Sequence, residues 1–543
     1  MIERLIENWL DKATERSFQV PFCHMLCANG YTVVHLSRHC GMEMGKDVLA
    51  IHPDGTPCAY QLKSTKDGKI SLKQWRAEIS RQVLDLVVGK IIHPSIDGSK
   101  HARAYLVTNG ELEEEVIRAI DDMNRGFFDS GQTHLRLRTI VKGELFKMVK
   151  DLQTDFWPSE LTDVKTLLQL FLESGRGILP KEKLAALFEA TFPLAQRKSD
   201  KLPSKAECAR ILASGALLCS VAISSFSNQN NYVAEIEGWT LYIAYLLALV
   251  ERWNLPLRLW RNEFEIATKS MYNSLSNLCD ELKGRKHFVE GNPLVDAPLY
   301  RVRLTWLIAL MSVYALWRRN EEKPKNEVDD FIRNFCLENK SKLNLWGEAA
   351  IPQFLAFYWY FQKIDATLSP DRLLSGLISA ICQLNKPRSD KEGEKQFLAN
   401  PYYEAVDILP HILRISDEPL QDTFRGSSYA LEGLVHLFVR RNWKQTIRLL
   451  WPDITRLKFE MFEPENNSDF YRWRNQKGTH KTILPKHRQE WKELRTLASE
   501  SNGKCIPSSI KNYPVLLLLF LCVYPHRINS ETLRWLDTKL MKI

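Results

Sequence analysis

The sequence predicts an α/β domain with a central mixed sheet at the N-terminus, followed by a large all-α region of stacked helical hairpins. Three observations carry this. Over roughly the first 150 residues, β-branched and aromatic runs alternate with amphipathic stretches. Beyond about residue 160 the apolar residues recur almost throughout at i, i+3, i+4 spacing. A chain of 543 residues is also too long for one ordinary core. The expected domains are 1–155 and 156–543, with a subdivision near 385–400.

Taken in order, VPFCHMLCAN reads as a buried helix ended by Gly30, and YTVVHLS as a strand. DVLAI and CAYQLKS are two short strands. HPDGTP between them holds Asp54-Gly55 and two prolines, which is strong turn chemistry. LKQWRAEISRQVLDLVVGK is an amphipathic helix, ARAYLVTNG a strand and LEEEVIRAIDDMNR a helix. LRLRTIVKG and ELFKMVKDL close the domain as strand and helix. The order α-β-β-β-α-β-α-β-α fits a mixed sheet covered by helices. Downstream, TLLQLFLES, KEKLAALFEATF, RVRLTWLIALMSVYALWRR, IPQFLAFYWYFQK and PDRLLSGLISAICQL read as helices with no fixed repeat length. NKPRSDKEGEK (385–395) and PENNSDF (464–470) read as loops.

The formal net charge of +9 is mild for this length, so the placement of charge matters more than its sum. Eleven scattered cysteines read as reduced thiols in a cytoplasm rather than a disulfide framework. MIERLIENWLDKATER is charged and amphipathic, without the apolar core of a signal peptide. The apolar runs Trp239–Val250 and Val515–Tyr524 fall short of the roughly 18–20 residues a span needs, so both are expected as buried core helices, with no membrane association.

Chemistry concentrates in GKDVLAIHPDGTPCAYQLKS, residues 45–64. Gln61 and Lys63 lie two apart on a strand, so their side chains leave the same face. A short turn brings Asp47, at the start of the partner strand, to the same sheet edge. A hard cation such as Mg²⁺ or Mn²⁺ takes oxygen ligands. Asp47 offers a carboxylate, Gln61 an amide oxygen and Leu62 its backbone carbonyl. Lys63 can orient or deprotonate a water and offset charge on a phosphorane. Metal-assisted phosphodiester hydrolysis uses those parts.

These residues resemble the core of the PD-(D/E)xK nuclease superfamily, above all its Mrr-type restriction-endonuclease branch, which tends to place Gln where others have the second acid. FQVPFCHMLCANGY (18–31) is similar to that family's first helix and Gly-Tyr exit. Glu43-Met44-Gly45-Lys46-Asp47 is similar to its approach to the second strand, ISLKQW (70–75) to its step into the next helix, and YLVTNGELEEEV (105–116) to its following strand and helix. The resemblance covers about residues 1–150 and implies a restriction-endonuclease-like fold and a Mg²⁺-dependent endonuclease. Its substrate would be double-stranded DNA, with Asp47 and Gln61 at the metal and Lys63 as catalyst. The family's first-helix Glu is replaced by Gln19; Glu15, one turn earlier on the same helical face, and Glu43 are the candidates to supply that carboxylate. With one carboxylate the site would hold Mg²⁺ weakly, so DNA phosphates would complete the shell, or the enzyme would be slow until activated.

Fused to a helical region that recognises or regulates, such a domain resembles bacterial restriction and anti-phage defence effectors. The corresponding partners are DNA, a protein activator from a defence operon, and a second copy, since one site cuts one strand. Its alternative is a catalytically silent nuclease-fold subunit for DNA binding or assembly.

Other signals are weaker. Cys23, Cys27, His35 and His39 have zinc-ligand types, but the cysteines sit on an apolar helix face. Arg474 and His480 have the spacing of HEPN ribonucleases, but Gly478 and Pro485 argue against the helix that motif needs. From Arg440 to Arg495 there are 14 Lys/Arg against 7 Asp/Glu, with aromatics interleaved. Arg472, Arg474, Lys477 and Lys481 are the expected nucleic-acid contacts there. No G-x4-G-K-[ST] phosphate loop and no G-x-S-x-G elbow is present, so the chain carries no motif of a motor or a serine hydrolase.

Overall fold

The computed structural model describes residues 2–37, 46–65, 67–153, 157–158, 160–194, 203–285, 297–321, 326–364, 370–385, 400–412, 426–473, 479–499 and 503–543. Glu43, His39, Arg474, Lys477 and most of the 385–395 loop lie outside these residues. The chain forms two compact units, Met1–Ser274 and Leu275–Ile543, and the expected boundary at 155/156 falls inside the first.

The first unit opens with α1 (Ile2–Lys12) and α2 (Glu15–Ala28). Thr14 caps α2, its hydroxyl accepting from Ser17 N at 3.3 Å. The chain continues through β1 (Thr32–Leu36), β2 (Val48–Ile51), β3 (Pro57–Lys63) and β4 (Lys69–Ile70). It then enters α3 (Leu72–Gln74), a π-helical turn (Trp75–Ile79) and α4 (Ser80–Val88). β5 (Arg103–Thr108), β6 (Glu111–Leu112), α5 (Glu114–Asp129), β7 (Leu137–Ile140) and α6 (Lys142–Gln153) follow. Every expected strand and helix is present. The structure adds α1 as a separate helix and the two-residue strands β4 and β6, which pair with each other in parallel.

The main sheet has the order β1-β2-β3-β5-β7. β1, β2 and β3 pair antiparallel, whereas β3, β5 and β7 run parallel, so the sheet is mixed. The β2–β3 turn forms as its residues dictate. Gly55 takes φ +81°, and Asp54 Oδ1 accepts from Thr56 N at 2.8 Å. One face packs Leu49, Ala59 and Leu106 against Val83 of α4 and Val116 and Ile120 of α5. On the other, Tyr60 meets Phe22 of α2 edge-on at 5.2 Å and stacks on Tyr105 at 4.9 Å. Burying each such large side chain stabilises by roughly 1.5–3 kcal/mol.

Helices α7 (Leu161–Phe171), α8 (Lys181–Thr191), α9 (Lys205–Ala222), α10 (Ser224–Asn228), α11 (Tyr232–Trp253) and α12 (Arg261–Gly284) complete this unit, the boundary falling within α12. α2 packs along α9. His24 of α2 is fully buried against Tyr242 of α11, and among the described residues neither ring nitrogen has a hydrogen-bond partner. Cys23 and Cys27 are buried and reduced, and no group of three His, Cys, Asp or Glu able to hold a metal exists among the described residues.

The second unit comprises α13 (Ala297–Asn320), α14 (Glu327–Asn339), α15 (Ile351–Ile364), α16 (Pro370–Leu384), α17 (Ala405–Ile412), α18 (Leu431–Arg440), α19 (Lys444–Ile454), α20 (Trp491–Ser499), α21 (Pro514–Val523) and α22 (Ser530–Leu540). It is not all-α. β8 (Ser427–Ser428), β9 (Lys458–Glu463) and β10 (Thr479–Ile483) form a sheet of order β10-β9-β8. Phe459 and Phe462 of β9 are both buried, and the polar β10 is held by antiparallel backbone pairing with β9. In the same unit Asp537 of α22, 1% exposed, accepts from Trp359 Nε1 at 3.0 Å, Arg440 Nε at 2.9 Å and Arg441 Nη1 at 2.7 Å.

Among the described residues two helices, Tyr232–Trp253 and Pro298–Asn320, are long and apolar enough to cross a membrane, and 94% and 67% of their apolar windows are buried in the fold. The runs Trp239–Val250 and Val515–Tyr524 are both buried, as their composition predicts.

Candidate active site

The β2–β3 register sets the site. Val48 lies opposite Tyr60, and Asp47 N donates to Tyr60 O at 2.9 Å, which places Asp47 opposite Gln61 just where β2 begins. The last residues of β3 therefore have no β2 residue beside them. Backbone groups of residues two apart point to the same side of a strand. Leu62, like Tyr60, thus turns its N–H and C=O toward the side where β2 lies, beyond its first residue. The Asp47 side chain reaches across on that side: its Oδ2 accepts from Leu62 N at 2.7 Å and from Gln61 Nε2 at 2.8 Å. Asp47 is 6% exposed and Gln61 4%.

Gln61 spends its amide nitrogen on Asp47. Its Oε1 is buried and accepts no hydrogen bond among the described residues. Leaving a buried acceptor unmade costs roughly 1–3 kcal/mol, so such an atom calls for an explanation. It is an oxygen donor beside a carboxylate, with a backbone carbonyl next in the chain. That donor set suits a hard cation taking few protein ligands and the rest from water or substrate.

Gln19, where the resemblance implies an acid, does something else. Its Nε2 donates to two backbone carbonyls, Ser37 O at 3.3 Å and Asp47 O at 3.2 Å. Together with Ser37 N donating to Asp47 O at 2.8 Å, this fixes the backbone from which Asp47 projects. Glu15 opens α2, and its Oε1 lies 3.5 Å from Lys63 Nζ and 3.4 Å from Ser64 N. The Lys63 side chain is 16% exposed and that of Glu15 30%. The structure thus brings together Asp47 with Gln61 and Leu62, and Glu15 with Lys63.

Two residues in this region were not singled out from the sequence. Lys46 is 7% exposed, and burial lowers its pKa while the nearby Asp85 carboxylate opposes the shift. Asn109, 1% exposed just after β5, accepts from Thr65 N at 2.9 Å and donates to Leu10 O and Ala13 O at 2.8 and 2.9 Å. The chain after it runs close to the loop following β3. A Cβ on Gly110 would sit 2.5 Å from Thr65 Oγ1 and 2.7 Å from Gly68 O, which only glycine avoids.

In the second unit Arg472 is half-buried and paired with Asp469 at 3.0 Å, so part of its charge is already neutralised. Lys481 is exposed on β10, 3.8 Å from Glu463. Residues 479–483, including His480, form a strand rather than the helix a HEPN motif needs. Of the zinc-type residues, Cys23 and Cys27 face the α2 core, where burial pushes both thiols up.

No protein-family model, no curated protein and no solved structure matches the chain.

Proposed function

We propose that residues 1–155 form a restriction-endonuclease-like, metal-dependent endonuclease that hydrolyses phosphodiester bonds of double-stranded DNA, and that the remaining helices recognise, regulate or recruit. The observation that carries this reading is the buried, unpartnered Gln61 Oε1 beside the Asp47 carboxylate, with Lys63 on the same strand face. Asp47, Gln61 and the Leu62 carbonyl would hold Mg²⁺ or Mn²⁺. The ion, when bound, supplies charge neutralisation at phosphate and a more acidic water. Leu62 N–H and the Gln19 clamp hold Asp47 in one orientation. Lys63 places a cation where a phosphate would approach the open end of β3, and Glu15 orients it. In the reaction the oxygen of water bonds to phosphorus, one P–O ester bond breaks, and the departing oxygen is protonated.

A restriction or anti-phage effector is the biological role this chemistry fits, with a second copy supplying the second cut of a duplex. The competing reading is a silent nuclease fold that binds DNA or builds an assembly. It is favoured by the commitment of Gln19 to backbone carbonyls, which leaves Asp47 without a neighbouring acid from that position.

A cleavage assay separates them. Wild type, Asp47→Ala and Lys63→Ala are incubated with plasmid DNA and with RNA in Mg²⁺, Mn²⁺ or EDTA. The nuclease reading expects DNA cutting that needs metal and is lost in both variants. DNA binding without cutting would favour the silent subunit. RNA cutting that survives EDTA and both substitutions would move the chemistry to the second unit.

A further inference from the structure

Asn109 uses its whole side chain on three backbone groups, and their positions in the chain matter. Its Nδ2 donates to Leu10 O and Ala13 O at 2.8 and 2.9 Å, at the end of α1 and just before Thr14, which caps α2. Leu10 O also accepts from Ala13 N at 3.2 Å, and Asn109 adds a buried donor to both Leu10 O and Ala13 O, which ties down the α1–α2 turn from outside the helices. Glu15 is the first residue of α2, two beyond Ala13. On its other side, Asn109 Oδ1 accepts from Thr65 N at 2.9 Å, two residues beyond Lys63.

One buried side chain thus ties the backbone that presents Glu15 to the backbone that presents Lys63. The Glu15–Lys63 contact is in no position to do this itself. At 3.5 Å, between partly exposed side chains, it is too weak to set the course of two chain segments. The Ser64 N contact at 3.4 Å is equally long. The next links along the loop, Glu111 N to Gly68 O at 2.8 Å and Glu113 N to Ile70 O at 3.2 Å, hold its far end and do not reach α1 or α2.

We propose that Asn109 is a positioning residue that places the Glu15 carboxylate on the Lys63 ammonium. This rests on the nuclease reading for its meaning in catalysis, but the placement can be measured without catalysis. Asn109 touches no reacting atom. It acts through the α1–α2 turn and the residue after Ser64.

The test uses the full chain with Asn109→Ala, the milder Asn109→Ser, Glu15→Gln and the double variants, each checked for folding by its melting transition. The first readout is acetylation of Lys63 by acetic anhydride, followed by mass spectrometry in EDTA. Losing the tie should raise Lys63 labelling several-fold, to the level of Glu15→Gln, while lysines of the second unit keep their rates. The second readout is plasmid cleavage in Mg²⁺. Misplacing a catalytic group by about 1 Å costs on the order of a hundredfold, so turnover should fall roughly tenfold or more with DNA affinity unchanged. The Asn109 substitution should add nothing further to Glu15→Gln. Wild-type labelling of Lys63 in a folded Asn109 variant, or losses that multiply in the double variant, would overturn the proposal. Absence of metal-dependent cutting by wild type, or full cutting by Lys63→Ala, would instead remove the nuclease reading, and the labelling result would still decide whether Asn109 sets the pair.

Discussion

Gln61 and Asp47 share a hydrogen bond of 2.8 Å across the open end of the β2–β3 hairpin, and the amide nitrogen of Gln61 makes it. The amide oxygen is left buried, without a partner among the described residues. In a two-carboxylate site, two negative oxygens at these positions would repel until a cation arrived. Here the amide donates to the acid, so the pair is held together before any cation binds.

Gln61→Glu tests this directly. Without metal, a second carboxylate beside Asp47 replaces an attraction with a repulsion and should lower stability by roughly 1–2 kcal/mol. Mn²⁺ should then raise the melting temperature of Gln61→Glu more than that of wild type, because a ligand that binds only the folded state stabilises it in proportion to its affinity. Equal melting shifts in Mn²⁺ and EDTA for both proteins would remove the metal from this site.

Asp47→Ala should be costly even in EDTA. It strands Leu62 N–H and Gln61 Nε2 together, at roughly 2–4 kcal/mol in total. Hydrogen exchange at the Leu62 amide should accelerate accordingly. Asp47→Asn, which keeps an oxygen acceptor of the same shape, should lose less protection.

Lys63→Met keeps the aliphatic stem and removes the charge. It should leave DNA binding nearly intact and lower cleavage by about a hundredfold or more, the scale of losing one preorganised charge at a developing anion. Glu15→Gln should cost less, roughly tenfold, because it only loosens Lys63. A steady-state comparison of kcat and KM for the two variants checks the order.

His24 makes stability pH-dependent. Burial without partners lowers its pKa from 6.5 to about 3. Between those values the unfolded chain takes up a proton that the folded chain refuses. The contribution is therefore complete above pH 6.5 and is lost as pH falls toward 3, at up to about 1.4 kcal/mol per unit. His24→Phe, which can keep the edge contact with Tyr242, should retain more stability than wild type from pH 6 down to pH 4 in thermal melts.

The elements around this site were legible in the sequence wherever side chains fix them. Asp54-Gly55 marks the turn, and Gln61 and Lys63 mark one strand face. Glu15 was within reach because helical spacing puts it one turn from Gln19. The function of Gln19 was not, because its partners are the carbonyls of Ser37 and Asp47, and a carbonyl is the same on every residue. Asn109 escaped notice for that reason too. β4 and β6 are too short to carry a period. β10 was missed because its polar residues are held by backbone pairing with β9, not by an apolar face.

Asp537 also bears on the order in which the molecule is made. Arg440 and Arg441 precede their shared carboxylate by 97 and 96 residues. A growing chain that has released α18 carries two guanidinium groups whose acceptor has yet to leave the ribosome, while every residue of the first unit is already outside. The packing of α18 on α22 can be completed only after the C-terminal helix has emerged. A chain cut short before α22 would therefore leave Arg440 and Arg441 without the carboxylate that they share.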